Sequence, residues 1–502
     1  MSNSYVKTPT AISFSHIVEK DFTLSSSQYM DLVMPNEKFL FVRDFLSRPL
    51  QRKDLGVEVG SLNYIGKSTH YFLRTKALQQ HTFLPEVTSE TALPIMPNSF
   101  VKMNLKKGDL IISKDSNIGE IVILDKDYPN YMLSGALYKL PVSEKKYYLL
   151  AFIKHNVFRE QLDFMVPKGA TIRHAKTMFL DCKIPMPNHN AENTIKFVEL
   201  ITQAIINKER LIKERHSVII ELIEKELLEN QNTQKFKFEL PRLSEIEAVG
   251  RLDVARYSKE YKEFEHLIFN YKNGRFKLSE KGYSVKRGQN LQISNIGESY
   301  YSDRNIKGFY RLAVSSNFSE YSTVEKLTYI GNPNNLTKIN QGEIVFSARG
   351  AQFGRVIIYP ENVENVITNI DSLVISNPDA PLFQSIFIAM FLNRLRWNRH
   401  IYKVAITGSG ANSLTSYQSD DINFPNFSED KQKEIASLYH NSNSNYQAGT
   451  FTLDNFLKKD NAFNETAGIY ELDKTAKQLK EILNKAIDDI ANDREVTINF
   501  NL

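Results

Sequence analysis

The sequence predicts an α+β protein in which two similar mixed α/β domains are separated by long, antiparallel, coiled-coil-like helices. Two observations lead to this prediction. The segment "GDLIISKDSNIGEIVIL" at 108–124 is echoed by "GEIVFSARGAQFGRVII" at 342–358. A stretch with helical spacing of apolar residues follows each copy further along the chain. Since a repeat predicts one structural unit for each copy, it indicates the architecture of the whole chain.

The echoed segments share the form glycine, acidic residue, apolar run, serine, polar loop and glycine. Ser113 corresponds to Ser347, and Gly119 corresponds to Gly354 if one loop residue is inserted in the second copy. Short runs rich in isoleucine and valine predict strands, and the loops "KDSN" and "ARGAQ" contain residues typical of turns. Each segment therefore predicts a strand, a polar turn and a second strand.

A second pair of segments lies downstream, "GATIRHAKTMFLDCKIPMP" at 169–187 and "GSGANSLTSYQSDDINFPNF" at 408–427. Both run from a loop of small residues to an apolar residue followed by proline, at Ile184-Pro185 and Phe424-Pro425. The separations are close to those of the first pair. Two markers at nearly matching separations indicate that the domains arose by duplication.

Heptad spacing predicts the helices. The stretch from 191 to 230 places apolar residues at seven-residue intervals, which is typical of coiled coils, and Asn230 to Asn232 are expected to end it. A second helical pattern begins near Ser428, is interrupted by a polar insertion at about 441–468, and resumes. The apolar residues that define the two helices are Val198, Ile205, Ile212 and Ile219 in the first, and Leu472, Leu479, Leu483 and Ile490 in the second.

Four parts of the chain follow from these patterns. The first domain is predicted at 1–190 and the first long spacer helix at 191–234. The second domain is predicted at 235–428, and the second helical region, with its insertion at about 441–468, at 429–502.

Composition excludes several classes of protein. Hydrophobic residues make up 42% and charged residues 24% of the 502 residues, as in ordinary globular proteins. The single cysteine, Cys182, excludes a disulfide framework and a zinc site built on several thiolates. The N-terminal stretch lacks the pattern of a signal peptide, and the apolar runs are too short for a membrane span. We therefore expect a cytoplasmic protein, with Cys182 as a buried structural thiol.

No catalytic motif is recognisable. The Asn/Asp-Pro-Pro-aromatic element of adenine methyltransferases has no match in "GNPNN" or "SNPDAPLF". "TGSGAN" at 407–412 lacks both the spacing of a dinucleotide fingerprint and a Walker lysine. The histidines lack the spacing of metal ligands. We expect no enzyme activity, no bound cofactor and no metal site in this chain.

Two modules on long helices are suited to a split DNA sequence. A helix of about 35 residues is about 50 Å long, which corresponds to roughly fifteen base pairs of B-DNA. Reading bases requires Arg, Lys, Asn, Gln, Ser and Thr at groove-facing positions. The net charge of +5 permits a nucleic-acid partner without requiring one.

Polar loops in both copies supply candidate DNA-contacting residues, although each taken singly could be a solvated surface side chain. The candidates in the first copy are Lys67, Ser68, Thr69, His70, Lys114, Asn117, Lys168, Arg173 and His174. The candidates in the second copy are Asn295, Arg304, Lys307, Arg349, Gln352, Arg355, Lys403, Ser409 and Asn412.

The repeated order of hairpin, second marker and long helix resembles the specificity (S) subunit of type I restriction–modification systems. The segment "RLDVARYSKEY" at 251–261 adds to the resemblance, which covers most of the chain. It implies two target-recognition domains, each reading half of a bipartite DNA sequence, and no catalysis by this subunit. It also implies that the long helices set the spacing and dock methyltransferase (M) subunits, two being expected, which bind S-adenosylmethionine. A motor-nuclease (R) subunit would join for cleavage.

The residue patterns leave an alternative open. The same modules and helices would suit a protein-assembly scaffold without sequence-specific DNA binding. An independent enzyme is a third and more distant alternative.

Overall fold

The computed structural model describes residues 5–19, 21–23, 29–166, 175–250, 252, 254–405, 412–446, 449 and 451–501. The chain forms two compact units. Unit 1 comprises Met1–Leu211, Asn445–Glu465 and Leu472–Leu502, and unit 2 comprises Ile212–Ser444 and Thr466–Glu471.

Unit 1 is a mixed α/β structure. Its strands are β1 (Val6–Lys7), β2 (Asp31–Leu32), β3 (Phe39–Phe41), β4 (Tyr71–Leu73), β5 (Ala92–Pro94), β6 (Leu110–Ser113), β7 (Ile121–Ile123), β8 (Tyr131–Leu133), β9 (Leu137–Leu140) and β10 (Lys183–Pro185). Its helices are α1 (Phe14–Glu19), α2 (Lys146–Lys154), α3 (Asn156–Met165) and the first part of α4 (Ala191–Glu229). The later segments of the chain add α11 (Phe456–Thr466) and most of α12 (Ile469–Ala491).

Unit 2 contains the remaining elements. Its strands are β11 (Arg275–Phe276), β12 (Ser284–Arg287), β13 (Tyr300–Ser302), β14 (Tyr310–Ala313), β15 (Thr328–Gly331), β16 (Ile344–Ser347), β17 (Val356–Ile358), β18 (Val366–Thr368), β19 (Ser372–Ser376) and β20 (Phe424–Pro425). Its helices, besides the second part of α4, are α5 (Leu243–Val249), α6 (Lys259–Phe269), α7 (Ile293–Ile296), α8 (Leu382–Trp397), α9 (Ile401–Val404) and α10 (Glu429–Tyr439).

The two units share one strand topology. In unit 1, β6 lies between β7 and β9 in an antiparallel sheet, and β4 pairs antiparallel with β5 and parallel with β8. In unit 2, β16 lies between β17 and β19, and β14 pairs antiparallel with β15 and parallel with β18. Unit 2 adds only β12 and β13 at the edges of these sheets. The α+β fold class with two similar units is therefore confirmed.

The hairpin loops match at the level of single hydrogen bonds. The Gly119 amide donates to the Ser113 carbonyl at 2.8 Å, and the Gly354 amide donates to the Ser347 carbonyl at 2.8 Å. Both glycines have positive φ, 76° and 82°, a conformation that favours glycine. The predicted alignment, with one residue inserted in the second loop, is confirmed.

The second pair of markers also occupies equivalent places. Ile184 and Pro185 lie in β10, which pairs antiparallel with β3. Phe424 and Pro425 form β20, which pairs antiparallel with β11. In each unit, the segment before the next helix, α4 in unit 1 and α10 in unit 2, therefore returns to the strand that precedes the main sheets.

The long helix α4 has 39 residues and ends before Asn230, as its sequence predicts. Within unit 1 it packs antiparallel to α12, because Phe197 lies beside Ala486 whereas Glu209, further along α4, accepts a 2.7 Å hydrogen bond from Lys480. The shared core of this pair includes Val198, Ile205 and Leu483. None of the described helices combines the length and apolar character that a membrane span requires.

Candidate nucleic-acid interface

In unit 1, one candidate loop precedes β4. Lys67 and Thr69 are exposed, whereas Ser68 and His70 are half-buried. The Ser68 hydroxyl accepts the His70 amide at 3.0 Å, and the His70 ring lies 4.4 Å from the ring of Phe100. Ser68 and His70 therefore shape the loop, and Lys67 and Thr69 are its most accessible side chains.

The hairpin loop of unit 1 carries one cation and one amide. The Lys114 ammonium is half-buried and forms an ion pair with Asp115. Asn117 is exposed, and its amide nitrogen lies 3.4 Å from the Leu78 carbonyl. Of the two candidates in this loop, Asn117 is thus the exposed one, and the charge of Lys114 is balanced by Asp115.

In unit 2, Asn295 lies in α7, and Arg304 and Lys307 lie in the loop between β13 and β14. All three residues are exposed. The Arg304 amide donates to the Ser302 hydroxyl at 3.0 Å, which fixes the turn that begins this loop. Exposed polar and basic side chains on a fixed turn are suited to contacts with phosphates and base edges.

The hairpin loop of unit 2 is more basic than its counterpart. Arg349 is exposed and forms a β-bridge with Ser413, so this loop contacts the segment that contains the second marker. Asn412 beside it is also exposed, whereas Gln352 and Lys403 are half-buried. Arg349 and Asn412 thus lie on neighbouring segments of the chain at the surface of unit 2.

Arg355 has a different role from the one its sequence suggests. Its guanidinium donates to Glu320 at 2.8 Å and to the Phe318 carbonyl, and Arg396 also pairs with Glu320. Burial raises the pKa of Glu320, but the two guanidiniums outweigh that effect and leave the pKa below its ordinary value. Arg355 is therefore held in an internal ion network.

Four candidates, Lys168, Arg173, His174 and Ser409, lie outside the described residues. The chain that follows them is described in both units. The Ala175 amide donates to the Lys114 carbonyl at 2.8 Å, and the Leu414 amide donates to the Ala348 carbonyl at 3.0 Å. In each unit, the second marker is therefore brought beside the start of the hairpin loop, although the two are distant in sequence.

The eight residues that define the predicted helical seams are buried within this chain. They are Val198, Ile205, Ile212, Ile219, Leu472, Leu479, Leu483 and Ile490, with exposed fractions from 0% to 7%. Their heptad spacing reflects packing against the chain itself, so none of them presents a surface to a partner.

Lys208, which interrupts the apolar spacing of α4, has a specific partner. Its ammonium lies 2.7 Å from Asp460 of α11, both side chains being fully buried, and donates to Asn464 at 2.6 Å. The polar segment predicted as an insertion thus supplies the counter-ion for a lysine in the core. A lysine at a seam position is the sequence signal of such a pair, but it does not identify the carboxylate.

The described residues contain no group of three or more His, Cys, Asp or Glu side chains that could hold a metal ion. Cys182 is buried, as predicted, and burial is the main cause that raises the pKa of its thiol. A thiol whose pKa is raised is a poor nucleophile at neutral pH.

Comparisons with known proteins give matches among solved structures. No family model and no curated protein matches the chain. A type I restriction–modification system S subunit from M. genitalium is 10% identical, with 93% of this chain and 96% of that chain covered and a TM-score of 0.38. The HsdS subunit from Thermoanaerobacter tengcongensis is 12% identical, with 91% and 96% covered and a TM-score of 0.24.

A third solved structure comes from a study of the structural basis of complex assembly and conformational transition in the type I R-M system. It is 12% identical, with 92% of this chain and 99% of that chain covered and a TM-score of 0.28. TM-scores of 0.24 to 0.38 are too low for a common fold or function to be inferred from them.

Proposed function

We propose that this chain is a non-catalytic DNA-recognition subunit of a type I-like restriction–modification complex. Each unit reads one half of a bipartite target. M subunits carry S-adenosylmethionine and the methyl-transfer chemistry, and an R subunit supplies cleavage. The observation that carries the proposal is the duplication itself: two units with one topology present polar loops at equivalent places.

The hairpin loops support base reading because their exposed residues differ between the two units, whereas the strands and hydrogen bonds that hold them do not. Equivalent hydrogen bonds hold both hairpins, at Gly119 and Gly354. The hairpin tip of unit 1 offers Asn117, and that of unit 2 offers Arg349. Asparagine is suited to adenine, and arginine to guanine or to a backbone phosphate. Two similar scaffolds with different loop residues would contact two different half-sites, as an asymmetric split sequence requires.

The outer face of α4 is the surface that we propose for M docking. Five residues on this face are exposed, in two interleaved seven-residue rows, and they are Glu214, Val218, Glu221, Lys225 and Leu228. Val218 and Leu228 are exposed to 41% and 62%. A stripe that combines apolar residues with charges of both signs is suited to a partner helix, and it replaces the buried seam as the docking surface.

Genomic methylation mapping tests this function directly. Methylated positions would be compared between cells with the intact gene, cells lacking it, and cells with a Val218→Asp, Leu228→Asp double variant. The proposal predicts methylation of one bipartite sequence that disappears in both altered strains. An unchanged methylation pattern in the deletion strain would refute the proposal and favour the protein-assembly alternative.

Duplex binding by the purified complex of this chain with its M subunit provides a second test. Phosphate contacts release counterions, so the logarithm of the binding constant should fall linearly with the logarithm of salt concentration. The mapped target should bind at least about 10³-fold more tightly than a scrambled duplex of equal length. Equal affinity for both duplexes would show that the chain does not read sequence.

A further inference from the structure

Arg287 lies at the end of β12, on the edge of the main sheet of unit 2. Its guanidinium donates to the Leu414 carbonyl at 3.1 Å and to the Ile370 carbonyl at 3.4 Å. These bonds hold the charge where the second marker and the start of β19 meet. The sequence offers no signal for this role, since both acceptors are backbone atoms distant along the chain.

A second arginine approaches the same point. Arg349 is exposed at the start of the hairpin loop and forms a β-bridge with Ser413, the residue before Leu414. Burial lowers the pKa of the Arg287 guanidinium, the charge of Arg349 lowers it further, and Asp371 opposes the shift less strongly. The Arg287 guanidinium binds Leu414 and the Arg349 backbone pairs with Ser413, so two positive charges belong to one small region of unit 2.

No carboxylate compensates these charges by direct contact. Among the residues that the structure describes, neither Arg287 nor Arg349 has an acidic oxygen within the 4.0 Å of an ion pair. Most other arginines of unit 2 in partly buried places do have one, as Arg355, Arg394 and Arg396 show. Two like charges near one point, offset only by the Asp371 carboxylate that contacts neither of them directly, are a favourable place for an anion.

Unit 1 has no such pair at the equivalent place. The Gly56 amide donates to Leu137, the first residue of β9, and the Gly288 amide donates to Ser372, the first residue of β19. Leu55 therefore corresponds to Arg287. Because Ser113 corresponds to Ser347, Asp115 occupies the place of Arg349 in the hairpin. Its carboxylate pairs with Lys114. The site is a property of one copy and not of the common scaffold.

We infer that Arg287 and Arg349 form an anion site specific to unit 2, which binds a phosphodiester of the DNA backbone beside one half of the target. This inference rests on the proposed function. A phosphate is favoured over a guanine edge because the Arg287 guanidinium already donates to two carbonyls, so it contributes charge more than a free bidentate fork. Arg287 is a positioning residue, and Arg349 makes the contact.

The test uses the complex of the full chain with its M subunit and the mapped target duplex. Arg349→Gln removes an exposed side chain that has no ion pair with any described residue, so the fold should be retained. Arg287→Lys keeps the charge but lacks the planar guanidinium fork that spans both carbonyls. Lys286→Gln is the matched control, because this exposed lysine precedes Arg287 on β12 and adjacent side chains on a strand point to opposite faces.

Loss of one phosphate contact should lower affinity about tenfold at physiological salt and reduce the salt slope by about one. We expect this for Arg349→Gln, a smaller loss for Arg287→Lys, and less than a twofold change for Lys286→Gln. A set of duplexes, each with one phosphate replaced by an uncharged methylphosphonate, allows a double-mutant cycle between that phosphate and Arg349. Neutralising the contacted phosphate should weaken wild-type binding to the same degree and leave Arg349→Gln binding unchanged.

Other outcomes overturn the inference. If Arg349→Gln relaxes selectivity at a single guanine and no phosphate couples to it, the site reads a base and the phosphate assignment is wrong. If Arg349→Gln binds like wild type, the pair contacts no DNA. Either result leaves sequence-selective binding by the wild-type complex intact, whereas failure of the proposed function would appear as loss of that selectivity.

Discussion

The buried ion pair between Lys208 and Asp460 gives the most quantitative prediction. The charged atoms lie 2.7 Å apart, and both side chains are fully buried. With an effective dielectric constant of about 20, the Coulomb attraction at this distance is about 6 kcal/mol. Most of that energy offsets the desolvation of the two ions, so the intact pair contributes little net stability.

Removing one partner has a much larger effect. Asp460→Leu removes the carboxylate beside the buried Lys208 ammonium, and Lys208→Met removes the ammonium beside the buried Asp460 carboxylate. Each single variant should destabilise unit 1 by about 3–5 kcal/mol, whereas the double variant should be near wild type because both charges of the pair are removed together.

Hydrogen exchange of the full chain measures this effect unit by unit. Amides of α4 between Thr194 and Leu211 should exchange faster in both single variants and recover in the double variant, while amides of β16 and β19 provide an internal reference in unit 2. If the single variants change exchange in unit 1 by less than about 1 kcal/mol, or the double variant is as destabilised as the sum of both, the pair is not a buried, mutually dependent unit.

Three further predictions concern the duplicated scaffold. Gly56→Ala should destabilise unit 1, and Gly288→Ala should destabilise unit 2, each by about 2–3 kcal/mol as measured by local hydrogen exchange. The added Cβ would lie 2.0 Å from the Ser134 carbonyl oxygen in unit 1 and 2.3 Å from the Asn369 carbonyl oxygen in unit 2. An effect in only one unit would contradict the equivalence of the two glycines. Gly354→Ala should weaken binding to one half-site only, as judged by duplexes with either half scrambled, since positive φ and contact with α9 restrict the loop to glycine. Glu320→Gln should lower the stability of unit 2 at pH 7, and the difference from wild type should shrink below about pH 4, because the depressed pKa of Glu320 stabilises the fold only while the carboxyl is ionised; a pH-independent difference in chemical denaturation would refute the ion network.

The architecture could be predicted because each copy of the duplicated unit contains the same local sequence patterns. The apolar runs of β6 and β16, and the glycines at positions 119 and 354, repeat with nearly constant spacing. A repeated local pattern predicts a repeated structure without knowledge of any long-range contact. The end of α4 before Asn230 followed from the same kind of local signal.

The contacts that decide the role of individual side chains are long-range, and the sequence does not show them. Arg355 looked like a surface cation of the hairpin, but Glu320, 35 positions away, binds it. Heptad spacing identified the buried stripe of α4 correctly, but periodicity cannot indicate whether the same chain or a partner covers that stripe. The sequence gives no signal for the role of Arg287, because its guanidinium is held by two backbone carbonyls, which no residue type reveals.

The spacing between half-sites is the most direct measurement of the central claim, that two equivalent units read the two halves of one split sequence. Once methylation mapping has identified the target, the complex would be titrated with duplexes whose spacer is lengthened or shortened by one to five base pairs while both halves stay intact. The account predicts tight binding at the natural spacer and a loss of at least about tenfold within two base pairs on either side, since each half-site would then be displaced and rotated relative to its unit. Affinity that does not change across the series would contradict it.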